Sequence, residues 1–431
     1  MLSKHALFAA CLAVWPGAVA AQQMAPAIQE PVTISFYNYN LASAGIGRDA
    51  TERMIEAFEA ANPLIKVEGV AVSSGDMMSR VQADVIAGQT PDVAQIVFSD
   101  LDYVVSNFNV PALETIVPAA ELDAHFKGMF ANGLDLGRLD GKTFGLAYVF
   151  STPVLFYNAD LFRAAGLDPD KPPRTWDDVA AAARAITDHT GHPGMIAGVF
   201  SAFDWMFQAI IRSNGGRVLS EDRKRLMFAE PEAVEALTVL RRMASAGIFQ
   251  NSAVTGPTIE TMASGQTGMF LTTSVVQAAI LRAVGGKWEL RAAPMPAFGD
   301  RQAVPTNSGS ALVILTQDPV RQRAAWELMQ HLTSDYAYTV ITRDIGYLPL
   351  RQSTIDGEEF LAPWLRENPL ALPNIAQLPR LEPWVPHAGP NYRQISTTMI
   401  NAAEQAVFGP SDDVAGIMAD AQRRAQALMP R

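Results

Sequence analysis

Apolar and polar positions along the chain repeat with two alternating periods. In PVTISFYNY, Val32, Ile34 and Phe36 recur at every second position and predict a strand over residues 31–39. Beyond a small-residue loop, Met54, Ile55, Phe58 and Ala61 recur at helical spacing, so a helix capped by Asp49 should bury that stripe and stop at Asn62-Pro63. A strand at 65–70, a helix at 76–87 and a strand at 93–98 follow directly. Strand and helix alternating at this spacing imply right-handed crossovers and a parallel sheet, with ligand contacts beyond the carboxyl ends of the strands. The loops at 38–47, 73–77 and 99–103 occupy those places.

A new unit begins at Ser151. The run STPVLFYNADLFRAAGLDPDKPPRTWDDVAAAARAI reads as a strand at 152–157, a short helix, a Gly turn, a Pro-rich loop and an amphipathic helix. Thr175 stands at the N-cap of that helix and Asp178 three residues on completes a capping box, which is preferred to a catalytic carboxylate pair because adjacent helical positions point apart. Helices at 203–213, 231–246 and 274–284 come next, with a strand at 268–272. A strand at 308–315, a helix at 319–332 and terminal helices at 392–408 and 412–429 complete the pattern. Leu139-Asp140-Gly141-Lys142 predicts a tight hairpin turn. The stretch 368–390, rich in proline and containing Trp384, reads as an ordered surface loop.

A chain of 431 residues exceeds what one core usually supports, so two domains are expected. Residues 1–21 resemble a secretory leader: Lys4 and His5, the apolar run 6–15, Pro16-Gly17, and Ala18-Val19-Ala20 before a cut near Ala20 or Ala21. That run is too short to span a bilayer. Cys11 lies within it and is the chain's single cysteine, so the exported chain would offer no disulfide or thiolate; a lipoprotein cut at Cys11 would leave a very short apolar region before it. Net charge is −11, and removing Lys4 with the leader leaves 32 basic against 44 acidic residues, or −12. Such a surface repels phosphodiester backbones, so nucleic acid is not an expected partner.

No catalytic frame emerges. A G-x-S-x-G elbow does not occur, Gly45-Ile46-Gly47 lacks the third glycine of a dinucleotide fingerprint, and His189 with His192 forms a loop pair without a ligand cluster. Acidic residues are plentiful, but no pair can be given the separation that glycoside hydrolysis needs. No cofactor or metal is therefore expected. Aromatic residues are placed differently: Tyr37, Tyr39, Phe98, Tyr148, Phe150, Phe203, Trp205 and Tyr347 fall at predicted strand ends or crossings. Rings in such places can stack on sugar faces while their polar tips bond hydroxyls.

The words STPVLFYN, AGLDP, PPRTWDD and Gly346-Tyr347-Leu348-Pro349 resemble the family 1 solute-binding proteins of ABC importers, the carbohydrate-binding group, and within it the glycerol-3-phosphate binders. The resemblance thins at about 100–139 and through the Pro-rich stretch. It implies an α/β, two-lobed periplasmic binding protein fold (type II) with three interlobe crossings, and delivery of a small solute to permease subunits by a monomeric periplasmic protein. The lobes would comprise residues 31–150 plus 292–345 and residues 151–291 plus 346–431. Ser151, Trp205, Thr273 or Ser274, Gly309 and Tyr347 match cleft positions of the glycerol-3-phosphate binders, and the end of the first strand adds Tyr37 and Asn38. Met77 stands where those proteins carry a tyrosine, Asp100 falls one or two residues late for their acidic residue, and Arg393 is the nearest cation to their phosphate-pairing arginine. These departures imply a changed ligand, a neutral sugar, polyol or glycoside, with glycerol-3-phosphate or a glycerophosphodiester as the alternative that Arg393 keeps open. A secreted carbohydrate-active hydrolase is the enzyme alternative.

Overall fold

The computed structural model describes residues 23–430 apart from 44, 202 and 253–255, so the expected leader at 1–21, with Cys11, lies outside the described residues. The first sheet contains β1 (Val32–Asn38), β2 (Ile65–Ala71), β3 (Val93–Val97), β6 (Leu146–Ser151) and β12 (Ser308–Ile314) in the order β2-β1-β3-β12-β6. β1 pairs in parallel with both neighbours, as the alternation of strand and helix requires, whereas β12 enters antiparallel between β3 and β6. The second sheet contains β7 (Pro153–Asn158), β8 (Met195–Ala197), β9 (Phe249–Asn251), β10 (Met269–Thr273) and β11 (Leu290–Pro294) in the order β11-β7-β10-β8-β9. β4 (Arg138–Leu139) and β5 (Lys142–Thr143) form the small hairpin, with Asp140 and Gly141 both at positive φ as its two-residue turn demands.

Helices cover these sheets, so the inner strands are buried on both faces, while the edge strands β2 and β11 are only partly covered. Every residue of β3, β6 and β7 is buried, and Phe36 meets Tyr148 edge-on at 6.5 Å beneath the first sheet. The helix Ile46–Ala61 starts three residues before Asp49, which lies in its first turn instead of capping it. Ala50, Met54 and Phe58 form its buried stripe, while Ile55 is half-buried and Ala61 exposed. The helix Trp176–Thr190 has the predicted capping box: the Asp178 amide donates to Thr175 Oγ1 at 3.1 Å and the Thr175 amide to Asp178 Oδ2 at 2.9 Å.

Three passages join the two sheets. The first is Thr152, between β6 and β7, whose hydroxyl donates to Asn374 Oδ1. The second begins later than expected at residue 292. β11 pairs with β7 along its whole length, because its ladder groups find partners there, so the return lies between Pro294 and Ser308. The third also comes later than the expected boundary at 346. Leu348 donates its amide to Phe150 O, Arg351 donates to Thr333 O and His125 O, and Thr354 donates to Asp335, all in the first lobe. Only near Leu372–Ile375 does the chain reach the second sheet, where Gln377 bonds Pro153 O and the Met295 amide.

Candidate functional site

Loops beyond β1 and β2 face the second lobe across a cavity of about 620 Å³. Tyr39, Asn40, Ser43, Gly45 and Gly47 come from the first loop and Ser73 and Ser74 from the second, as the parallel half of the sheet predicts. Opposite them, Val275, Ala278, Ala279 and Arg282 lie on one face of the segment leading into and through the helix Gln277–Val284. Asp344, Ile345 and Tyr347 close the end. A second space of about 160 Å³ shares Tyr39, Ser74 and Tyr347 and continues to Val97, Phe203, Ser308, Gly309 and Trp384. The two spaces form one cleft with aromatic residues along its length.

Tyr39 is fixed from beneath. Its amide donates to Gln95 Oε1 at 3.0 Å and its hydroxyl to Ser310 Oγ at 3.2 Å, which also accepts from Gln95 Nε2 at 2.9 Å. Gln95 and Ser310 are fully buried, so this network holds the ring at one orientation. Burial and the neighbouring Tyr347 raise the Tyr39 hydroxyl well above its ordinary range, and burial also raises Tyr347. Both phenols are therefore neutral and able to donate hydrogen bonds. Gly309, at φ 113°, lets the chain pass so close to β6 that a Cβ would lie 2.0 Å from Val149 O.

The proline-rich stretch contributes directly to the cleft. Trp384 donates its amide to Asn307 Oδ1 at 2.7 Å and its indole N–H to Asp204 Oδ1 at 2.8 Å, and Val385 exchanges two bonds with Gln208. Phe203, 40% exposed, meets Trp384 edge-on at 6.2 Å. Burial alone would raise the Asp204 carboxyl, but His387, Gln208 and Trp384 around it outweigh that and hold it below its ordinary range. Trp384 was legible only as an ordered loop residue, since nothing local says which lobe such a loop packs against.

The sequence-derived candidates divide into three groups. Gly309 and Tyr347 line the cleft, and Ser274 lines a smaller adjoining space while donating to Gly346 O at 3.1 Å. Ser151 and Thr273 face each other across the first passage, with Thr273 Oγ1 donating to Ser151 Oγ at 2.6 Å. The others are placed elsewhere. Tyr37 donates to Asp84 at 2.6 Å behind the sheet, Asn38 is fully buried and accepts from the Leu41 amide at 2.9 Å, and Met77 is a core residue. Trp205 is buried in the core at the start of the helix Trp205–Ser213, with its carbonyl taken by Thr306. Asp100 and Arg393 pair with one another at 3.0 Å. The sequence reading missed Ser43, Ser73, Ser74 and Arg282 as individuals, although loop position pointed to the three serines.

Asp344 is the one carboxylate among the described residues lining these two spaces, and Arg343 and Arg53 already engage it. The lining thus offers ring faces, hydroxyls, amides and one guanidinium: groups that hold an oxygen-rich molecule.

The family model for bacterial extracellular solute-binding proteins matches residues 53–369. A protein of Brucella abortus (strain 2308), named as a binding protein, is 26% identical over 391 residues, which cover 88% of this chain and 90% of its own length. The sn-glycerol-3-phosphate-binding periplasmic protein of Escherichia coli (strain K12) is 26% identical over 351 residues, covering 76% of each chain. Among solved structures, the cyclic α-maltosyl-1,6-maltose-binding protein of Arthrobacter globiformis superposes with a TM-score of 0.79 at 24% identity, over 92% of this chain and 99% of that one.

Proposed function

Because the chain belongs to the bacterial extracellular solute-binding proteins, we propose that its cleft captures a sugar, polyol or glycoside in the periplasm. The protein acts as a monomer and hands this ligand to the transmembrane subunits of an ABC importer. The observation that carries the reading is the continuous cleft in which Tyr39, Tyr347, Phe203 and Trp384 alternate with Ser43, Ser73 and Ser74. Ring faces suit the apolar faces of a sugar, and the first lobe's hydroxyls suit its rim, while Phe203, Trp384 and Arg282 meet it from the second lobe. Contacts made by both lobes to one ligand favour the closed arrangement, since only that arrangement makes both sets. Capture without chemistry fits this lining, because glycoside hydrolysis needs two free carboxylates and Asp344 is a single, engaged one.

A phosphorylated polyol is the second reading, and Arg282 favours it. Its guanidinium lines the larger space without an ion pair among the described residues, whereas Arg393, the cation expected from sequence, is taken by Asp100. The deciding experiment is thermal unfolding of the exported chain against neutral sugars, polyols and their phosphates, with calorimetric titration of whatever raises the midpoint. A shift with a neutral sugar that is lost in Tyr347→Ala supports the first reading. A shift restricted to phosphates and lost in Arg282→Gln replaces it with the second. No shift with any of these compounds refutes both.

A further inference from the structure

Away from the passages between the lobes, the segment Phe98–Asn107 faces the second lobe with two carboxylates and one ring whose partners lie on that lobe. Asp100, 2% exposed, accepts from Tyr392 Oη at 2.6 Å through Oδ1 and from Arg393 Nη2 at 3.0 Å through Oδ2. Asp102 accepts from Arg223 Nη2 at 2.5 Å, and that same nitrogen also reaches Pro386 O at 3.1 Å. Tyr103 lies over Tyr392 with ring centroids 5.6 Å apart and an angle of 32°. Arg223 is held at φ 58°, a conformation uncommon for a residue with a Cβ, in a turn closed by bonds between Ser220 and Arg225. Backbone strain of this kind persists where surrounding contacts hold it.

We propose that Asp100, Asp102 and Tyr103 form, with Arg393, Tyr392 and Arg223, an interlobe latch that sets the closed position of the lobes before ligand arrives. Separation of the lobes would expose Asp100 and strip it of both donors at once. Desolvation offsets much of the attraction in such pairs, so the latch shifts the closed population by a modest factor while fixing its register. Through ligand affinity the proposal rests on the capture reading above, but its structural part does not.

The test is small-angle scattering of the ligand-free protein, with interlobe distance read in parallel from a spin-label pair, one on each lobe. Wild type should be compact at low salt and should remain largely so at about 1 M salt, because buried pairs are screened much less than exposed ones. Asp100→Asn combined with Asp102→Asn should be expanded already at low salt, and ligand should bind it about three- to tenfold more weakly, in proportion to the lost closed population. The swap Asp102→Arg with Arg223→Asp should restore compactness, a rescue that general destabilisation would not produce. If the double asparagine variant loses its folded circular dichroism, Arg223→Asp alone reads the same expansion from an outer turn. Ligand-free wild type already expanded at low salt, or equal compactness in wild type and variants, would overturn the latch. Failure of every solute to raise the melting midpoint would instead sink the capture reading and leave the scattering result standing.

Discussion

Tyr347 sits where the two spaces of the cleft meet and makes its polar contact with Tyr39, so truncating it removes a ring face without opening the core. Tyr347→Ala should weaken ligand binding more than tenfold with little change in folding, read by calorimetric titration beside a melt. Trp205→Ala should behave in the opposite way: its ring is core packing, and deletion should cost about 3–5 kcal/mol in chemical denaturation. Gly309→Ala faces both a positive φ and a Cβ 2.0 Å from Val149 O, and about 2–4 kcal/mol of stability should be lost. His125 gives a pH signature. Burial, reinforced by the Arg351 guanidinium, lowers its pKa from 6.5 to about 3, so the unfolded chain binds a proton that the folded chain refuses between those values. Its stabilising contribution is present above about pH 6.5 and is lost as pH falls, at up to about 1.4 kcal/mol per pH unit. His125→Gln should flatten that part of the stability profile; an unchanged acid slope would show that the ring does not carry it.

Elements were legible wherever a local signal marks their ends. The capping box at Thr175 and Asp178 fixed the start of the helix Trp176–Thr190, and Thr175→Ala should cost about 1 kcal/mol, measured by urea denaturation. Asp140-Gly141 likewise marked the hairpin. β8 and β9 have three residues each, too few for any period to show, and only the pairing of β8 with β10 and of β9 with β8 makes them strands. The start of the helix Ile46–Ala61 escaped because Gly45 precedes it without a side-chain cap. The stretch 368–390 escaped for another reason: its geometry comes from bonds to Gln208, Asn307 and Pro153, each far away in sequence.

At the scale of the whole molecule, a ligand held by both lobes stabilises the chain as a unit. Solute at about a hundred times its dissociation constant should add about 2.7 kcal/mol to unfolding, seen as a single shifted transition. A shift of one transition out of two would mean that only one lobe binds. By itself the sequence determined the two α/β units, the parallel half of the first sheet and two of the three expected loops that line the cleft, because periodicity, caps and turns act within a few residues; the third, at 99–103, is helical and lines neither space. Tertiary structure alone decided which aromatics reach the cleft, where the second and third passages fall, and that Asp100 and Arg393 satisfy each other. Those outcomes depend on charges, ladder partners and ring faces brought together from positions hundreds of residues apart, and no local pattern encodes which distant group will be nearest.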